Sequence, residues 1–481
     1  MRSNLEVALT RFLLTKTHFQ LYLDAPMHLW AAVYGQLPTE ISASERGLRR
    51  QADEVETLAL RFVRQSLTDM GEDCQTQEQL SFADDNFFAR ADLIAYNSDQ
   101  KTTDLYEVKA STKLKPEHIL DCAFQHLVIS ASQPLRKVFI VLLDPAYQKK
   151  GEHDEEGLFR LQDVTDAVLA ELGNVSQLRQ EALLVALQNT PTSLKHCYDP
   201  KNCPCPGLCH PWQGLFTVYE IPGLCRSRKE QLEALGVLDA REVPESFPLN
   251  DKQRKVVQVA RAGKPLVDVA AIQKKLKNLR YPLHFLDYES YGSAIPLFAG
   301  YCPYQEAVFQ FSLDILENEN ACIQHFEYLC PDLREPSLGL LLALREVIRP
   351  EGSVLVWNKG FEMARNREMA ALHPEFADFL VDLNAQIVDL AETFKGGLYL
   401  HPEFRGRWSI KKVLPVMDPD AQDYAEMDIG EGREASEAWW EMLHTNQADE
   451  KAKLCLNLLQ YCALDTEAMV RVYRKLLKVG S

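Results

Sequence analysis

The sequence predicts an α/β protein built from two domains. Three observations carry this expectation. Apolar runs of strand length recur along the chain and alternate with stretches whose apolar residues follow a helical period. Near residue 280 the pattern changes, and three strand-like runs in succession replace a helix-rich stretch. At 481 residues, the chain has room for two or three domains.

Composition narrows the function classes. An apolar share of 46% and a charged share of 25% fit an ordinary globular protein. No apolar run reaches the length of a membrane span, and "MRSNLEVALTRFLLTK" lacks a secretory apolar core and cleavage site. A cytoplasmic protein with no membrane partner is therefore expected. Of twelve cysteines, eight are scattered, several in apolar contexts such as "DCAFQ" and "AKLCLNL", which reads as reduced core thiol rather than a disulfide framework. The net charge of −17 argues against a protein that coats nucleic acid by bulk electrostatics. It still allows an enzyme that holds metal ions on carboxylates and reaches phosphates through a local basic strip. Asn250–Arg280, with nine Lys or Arg against two Asp, is such a strip; a solvated helix face on a linker is the equal alternative.

In chain order, "SERGLRRQADEVETLALRFVRQ" reads as a long helix with a serine cap and an apolar stripe. "FFARADLIAY" and "DLYEVKAS" are β-rich runs separated by the turn-forming "NSDQ". "KPEHILDCAFQHLVISA" is a second helix and "KVFIVLLD" a continuous apolar strand. A mostly helical stretch, a cysteine-dense segment at 197–209 and a connector punctuated by "PES" and "LND" lead to Arg280. Beyond it, "PLHFLDYES", "AVFQFSLDIL" and "CIQHFEYLC" are three strands. Helix "LGLLLALREVI", strand "SVLVW", helix "GFEMARNREMAAL", strand "QIVDLAETF" and several helices follow, which predicts a mixed sheet.

Chemistry concentrates in three places. In the first half, Asp92 stands on one strand, and Glu107 and Lys109 share a face of the next, with Val108 opposite. Gln125 lies in the following helix and Glu56 in the preceding one, with Glu54 as its nearest alternative. A lysine beside two carboxylates packs poorly in a core, but it serves where acids hold a metal and the ammonium steadies a developing phosphorane. Taken alone, Glu-x-Lys is most simply a surface ion pair. This order resembles the PD-(D/E)XK nucleases, in particular their RecB-like branch. The resemblance implies metal binding by Asp92 and Glu107, a helical metal-site acid at Glu56, and catalytic roles for Lys109 and Gln125.

Cys197, Cys203, Cys205 and Cys209 fall within thirteen residues, a density that points to zinc or an iron–sulfur cluster. In the RecB-like branch, a [4Fe–4S] cluster takes one upstream cysteine and three downstream. Here Ala25 stands where the upstream cysteine is expected, so Cys205 supplies the fourth thiol, or the ion is Zn²⁺, or the cluster is lost.

In the second half, Asp287 and Glu289 alternate onto one face of a strand, Glu362 opens a helix after a strand end, and Tyr461 and Asp465 lie four apart on one helical face. Two carboxylates side by side repel, and burial makes the pair harder to keep charged, so something positive sits between them, or one is protonated, or the face is wet. The pattern resembles the DEDD exonucleases on an RNase H-like fold, whose Asp-x-Glu, an Asp after Asn-x-x-Phe and a late Asp hold two ions, here Mg²⁺ or Mn²⁺. Tyr461 matches their tyrosine subclass and would orient water. Glu362 departs from the usual Asp, which makes Asp389 a competing ligand. Lys411 in "WSIKKVLP" is a candidate phosphate contact, with a solvated helix lysine the simpler reading.

The order of all three features is similar to a bacterial family of unknown function that fuses a RecB-like domain, a cysteine cluster and a DEDD-type domain. Running phrases such as "FLDYESYGSAIPLFAGYCPYQ" and "YCALDTEAM" carry the likeness. It implies a RecB-like PD-(D/E)XK domain with its cluster at 1–225, a helical basic connector at 226–280 and an RNase H-like exonuclease domain at 281–481. The expected activity is metal-dependent hydrolysis of nucleic acid, DNA ahead of RNA. The rival expectation is a nucleic-acid-binding or scaffold protein with one or both sites inactive.

Overall fold

A computed structural model describes residues 12–69, 74–98, 101–151, 155–212, 214–422 and 424–479. Most of the N-terminal stretch read for a leader, and the last two residues of the "NSDQ" turn, lie outside the described residues. The chain divides into two compact units: Met1–Pro211 with Ser293–Tyr304, and Trp212–Gly292 with Gln305–Ser481. Residues 226–280, expected as a separate connector, belong to the second unit.

The first unit runs β1 (Leu14–Thr15), α1 (Lys16–Asp24), α2 (Pro26–Val33), α3 (Ala43–Asp69), β2 (Cys74–Asp84), β3 (Phe87–Asn97) and β4 (Thr102–Lys109). Then come α4 (Pro116–Ile129), β5 (Leu135–Leu143), β6 (Phe159–Asp163), α5 (Thr165–Ala186) and α6 (Pro206–Cys209). The strands form a six-stranded sheet in the order β1-β3-β4-β5-β6, with β2 also on β3. The β4–β5 pair is parallel, as the intervening α4 requires, and the remaining long pairs are antiparallel. One apolar cluster packs α4 and α5 with Leu105 and Ile140; a second packs α3 with Tyr106 and Val141. Neighbours on β4 and β5 thus divide between the clusters, as strand alternation demands.

The helix expected to start from Ser44 begins one residue earlier. Ser42 is its cap: the Glu45 N–H donates to Ser42 Oγ at 3.2 Å, and the Ser42 N–H to Glu45 Oε2 at 2.9 Å. The sequence reading missed β2 and β6. Among the described residues, β2 ("CQTQEQLSFAD") pairs only with β3, and it exposes much of its length, so it needs little apolar content.

The second unit runs α7 (Arg226–Ala234), α8 (Asp251–Ala262), β7 (Leu266–Val267), α9 (Val269–Lys277), β8 (Leu283–Gly292), β9 (Glu306–Leu316) and β10 (Gln324–Leu329). It continues with α10 (Ser337–Val347), β11 (Ser353–Val356), α11 (Lys359–Leu372), α12 (Ala377–Gln386), β12 (Ile387–Asp389), α13 (Glu392–Lys395) and β13 (Tyr399–Leu400). Helices α14 (Ile410–Met417), α15 (Gly432–His444) and α16 (Ala448–Leu477) close it. Its main sheet has the order β10-β9-β8-β11-β12, with β8–β10 antiparallel and β8, β11 and β12 parallel. This is a mixed sheet. Asn250, in the "LND" punctuation, forms a capping box with Gln253 and opens α8.

Two polar contacts dock α16 on β9. Gln310 Nε2 donates to the Leu458 carbonyl at 2.8 Å, and the Ser312 and Thr466 hydroxyls meet at 2.8 Å, all buried. Gln310 and Ser312 are the cross-strand partners of Glu289 and Asp287. The face that α16 covers is therefore the carboxylate face of β8, because paired residues point the same way. Trp439 of α15 stacks on Phe309 with ring centroids 4.5 Å apart.

Candidate metal-binding carboxylate sites

In the first unit, the β2–β3 ladder keeps one register throughout but skips the pair at Asp92. Glu78 pairs with Leu93 and Leu80 with Ala91, leaving Gln79 between them at φ 53°. The core partners of β3 change across the same point: Ala89 and Ala91 pack in the cluster with α4, Leu93 and Ala95 in the cluster with α3. The odd-numbered residues of β3 thus change faces at Asp92. Its Oδ2 accepts the Val108 N–H at 2.8 Å, between Glu107 and Lys109.

Glu107 is buried and accepts from three side chains: Lys16 Nζ, Lys109 Nζ at 3.0 Å and Gln125 Nε2 at 2.7 Å. Burial opposes its charge, but Lys109 and Lys16 outweigh that and hold its carboxyl below the usual range. Asp92 goes the other way, raised by burial and then by Glu107. Lys109 also donates to Asp121 Oδ2 at 2.7 Å, and Gln20 to the same oxygen at 2.6 Å. Burial lowers the Lys109 pKa, yet Glu107 and Asp121 raise it further, so its ammonium is firmly charged. Glu56 accepts from Gln79, and its pKa is raised by burial, with Glu107 adding to the effect. Asp92, Glu107, Lys109, Gln125 and Glu56 are thus brought together, whereas Glu54 is exposed.

Lys16 and Asp121 were missed. Asp121 had a signal, since it lies four residues before Gln125 on the same helix face. Lys16 had none: it opens a short helix remote in sequence from the strands it serves.

In the second unit, Asp287 and Glu289 share one face of β8 as expected, while Tyr288 turns into the opposite cluster and donates to Asn366 Oδ1 at 3.1 Å. An oxygen of Asp287, an oxygen of Glu289 and the Cys462 sulfur all lie within 4.8 Å of one another. Asp287 is raised well above the ordinary carboxylate range by burial, then by Asp465, Glu289 and Glu362. Glu289 is raised by burial and by Asp465 and Glu362, with Lys411 opposing. Burial raises Asp465 to about 6, against the pull of the Tyr424 hydroxyl, which donates to it at 2.6 Å, and of Lys411. Asp287 and Glu289 thus bring oxygens within 4.8 Å of each other, and Asp465 and Glu362 are near enough to act on the charge of both.

Glu362, in the first turn of α11, is 2% exposed, and its Oε2 has no hydrogen-bond partner among the described residues. Burial raises its pKa to about 8, and Asp389 adds to this. Asp389 ends β12, accepts the Lys359 N–H at 3.3 Å and leaves Oδ1 buried without a partner among the described residues. It therefore adjoins the set through Glu362.

The solvated reading of Lys411 is overturned. Its ammonium donates to the Tyr461 hydroxyl at 2.9 Å and to the Gly430 carbonyl, and sits 4.9 Å and 5.1 Å from the ring centroids of Tyr461 and Tyr424. Tyr424 was missed; "DYAEMD" carries no periodic signal. Four of the nine basic side chains of the strip are engaged within their own unit. Arg254 and Arg261 donate to backbone carbonyls, Lys275 to the Asp389 carbonyl, and Lys252 lies over the Trp408 ring.

The cysteine segment folds against α2. His28, Cys203, Cys205 and Cys209 bring four ligand atoms within 4.8 Å of one another, and Cys197, Cys203 and His210 form an overlapping set. These residues can hold a metal. Neither histidine was anticipated.

Comparison with known proteins adds a family without an activity. Residues 284–409 match a domain of unknown function, DUF2779. Asp287, Glu289, Glu362 and Asp389 fall inside the match; Lys411, Tyr424, Tyr461 and Asp465 fall beyond it. The chain is similar to the uncharacterized protein UU173 of Ureaplasma parvum, 28% identical over 39% of this chain and 30% of that protein. It is also similar to the uncharacterized protein MG366 of Mycoplasma genitalium, 27% identical over 42% of this chain and 33% of that one. The matched region thus spans about a third of each curated relative. A solved structure, that of SSO0001, aligns with 37% of this chain and 77% of its own at 12% identity and a TM-score of 0.24. Among the described residues, no helix is long and apolar enough to cross a membrane.

Proposed function

We propose that the protein is a metal-dependent nuclease that hydrolyses phosphodiester bonds of nucleic acid, DNA ahead of RNA, with one candidate site in each unit. In this reading the units are a PD-(D/E)XK-like nuclease domain and an RNase H-like exonuclease domain of the DEDD type. The supporting observation is the cluster of buried carboxyls Asp287, Glu289, Glu362 and Asp465, whose raised pKa values mean that Lys411 and Arg365 do not compensate their charged forms. Burying such a set is unfavourable without cations, and its hard oxygen donors suit Mg²⁺ or Mn²⁺.

Bound divalent ions supply an activated water and stabilise charge on the reacting phosphoryl group. The chain's own residues set the rest. Lys411 fixes the Tyr461 hydroxyl, which orients water, and Tyr424 holds Asp465. In the first unit, Asp92, Glu107 and Glu56 are the metal-holding acids. Gln125 fixes the Glu107 carboxylate, and Asp121 steers the Lys109 ammonium toward a developing phosphorane.

A second reading, a nucleic-acid-binding or scaffold protein with an inactive site, draws support from Lys16. It bonds Glu107 directly and so competes with a cation there. The test is cleavage of end-labelled single- and double-stranded DNA and RNA in Mg²⁺ or Mn²⁺. Wild type, Glu107→Ala, Asp287→Ala and the double variant are compared. Cleavage abolished in the double variant supports the nuclease reading. Cleavage unchanged in it, or no cleavage by wild type, contradicts it.

A further inference from the structure

We propose that His28 completes a four-coordinate zinc site with Cys203, Cys205 and Cys209. The likeness to iron–sulfur nucleases directs attention to a cysteine upstream, but Ala25 stands there. The geometry points one helical turn further on. Ala25 is the residue before α2, the His28 N–H donates to its carbonyl at 2.9 Å, and the Met27 N–H donates to the Lys195 carbonyl at 3.2 Å. That last bond ties the start of α2 to the cysteine segment, and His28 faces the thiols.

The spacings fit one ion. Zinc bonds of the usual length, arranged tetrahedrally, put two thiolates roughly 3.8 Å apart and a thiolate and an imidazole nitrogen roughly 3.6 Å apart. Here Cys205 Sγ and Cys209 Sγ are 3.8 Å apart, and Cys203 Sγ and His28 Nε2 are 3.5 Å apart. All four ligand atoms fit within 4.8 Å. A cubane cluster places four irons between its thiolates and holds them farther apart than a single ion does, so this set is too tight for it. Three thiolates and one imidazole are an ordinary donor set for structural zinc.

Burial adds a second argument. His28, Cys205 and Cys209 are 4%, 5% and 1% exposed, and His28 Nε2 faces the Cys203 thiol. A buried imidazole facing a thiol is a poor bargain without a ligand to bind. Cys197 and His210, 3.1 Å apart, adjoin the site and share Cys203 with it; they form the competing set.

The consequence reaches the first carboxylate site. Helix α1 begins at Lys16, the partner of Glu107, and is separated from α2 by Ala25 alone. An ion on His28 thus anchors the helix pair that presents Lys16.

The test is elemental analysis of the full chain, purified without a histidine tag and without oxygen. Variants His28→Ala, His28→Cys, Cys209→Ser and His210→Ala are run beside it. The expected result is about one zinc per chain in wild type, kept in His28→Cys and His210→Ala and reduced at least tenfold in His28→Ala and Cys209→Ser. Replacement by Co²⁺ should give the visible bands of a tetrahedral thiolate site in wild type and in His28→Cys, which still supplies a ligand. Iron with acid-labile sulfide, a wild type without metal, or zinc kept in His28→Ala but lost in His210→Ala would overturn the proposal.

Discussion

The ammonium of Lys411 lies 2.9 Å from the hydroxyl of Tyr461, one turn before Asp465 on α16. Burial raises the Tyr461 pKa first, and Asp465, Glu289 and Asp287 raise it further, so its proton stays on. The hydroxyl therefore accepts from Lys411 and keeps its own hydrogen to donate. Lys411→Met removes a positioned cation and frees the phenol. Activity assigned to the second unit should fall by about 10²–10³ in turnover, the range for a lost electrostatic stabiliser. Tyr461→Phe should reduce turnover less while leaving Mn²⁺ affinity unchanged. Steady-state kinetics and calorimetric Mn²⁺ titration read the two effects; equal turnover in Lys411→Met and wild type would remove Lys411 from the site.

Metal-free stability should fall with rising pH. Asp287, Glu289, Glu362 (about 8) and Asp465 (about 6) have folded pKa values raised above the unfolded range of about 4. Between those limits the folded chain keeps protons that the unfolded chain has released. The stability they contribute is complete below about pH 4 and is lost as pH climbs toward 8. Melting curves from pH 5 to 8 should show this decline in wild type and flatten it in Asp287→Asn/Glu289→Gln. Adding Mg²⁺ at pH 8 should recover the wild type alone. Parallel profiles for the two proteins would contradict the assignment.

Lys16→Met tests the first unit. Glu107 would keep Lys109 and Gln125 but lose one ammonium. The loss of stability should not exceed the roughly 3 kcal/mol typical of a broken buried pair. Because Lys16 competes with a cation for the same carboxylate, the rise in Tm on adding Mn²⁺ should be larger in the variant. Thermal shift with a Mn²⁺ titration measures both, and a smaller rise would show that Lys16 assists metal binding.

Thr466→Val strands the Ser312 hydroxyl, since both groups are buried and bond each other. An unsatisfied buried hydroxyl costs about 1–3 kcal/mol, whereas removing both partners is nearly neutral. Ser312→Ala/Thr466→Val should therefore be more stable than Thr466→Val in chemical denaturation. Additive losses would mean that the contact does not dock α16.

Much of this was legible in the sequence because strand and helix periods place side chains without tertiary knowledge. Asp287 and Glu289 on one face of β8, and Glu107 with Lys109 on one face of β4, followed from alternation alone. What escaped were groups delivered by packing. Lys16 and His28 sit on short helices whose sequence says nothing of the distant strand or loop they meet. Lys411 looked like a surface lysine because its partners, Tyr461 and Gly430, come from later elements. β2 was hidden by its polarity, and α12 by lying between a helix and a strand that already accounted for the pattern.

The most direct test is an anomalous-scattering map from crystals of the full chain grown with saturating Mn²⁺ at pH 8. Manganese peaks are expected among Asp287, Glu289 and Asp465, with Glu362 turned toward them. A clean map at those carboxylates, with the side chains otherwise ordered, would contradict the claim that they are a metal site.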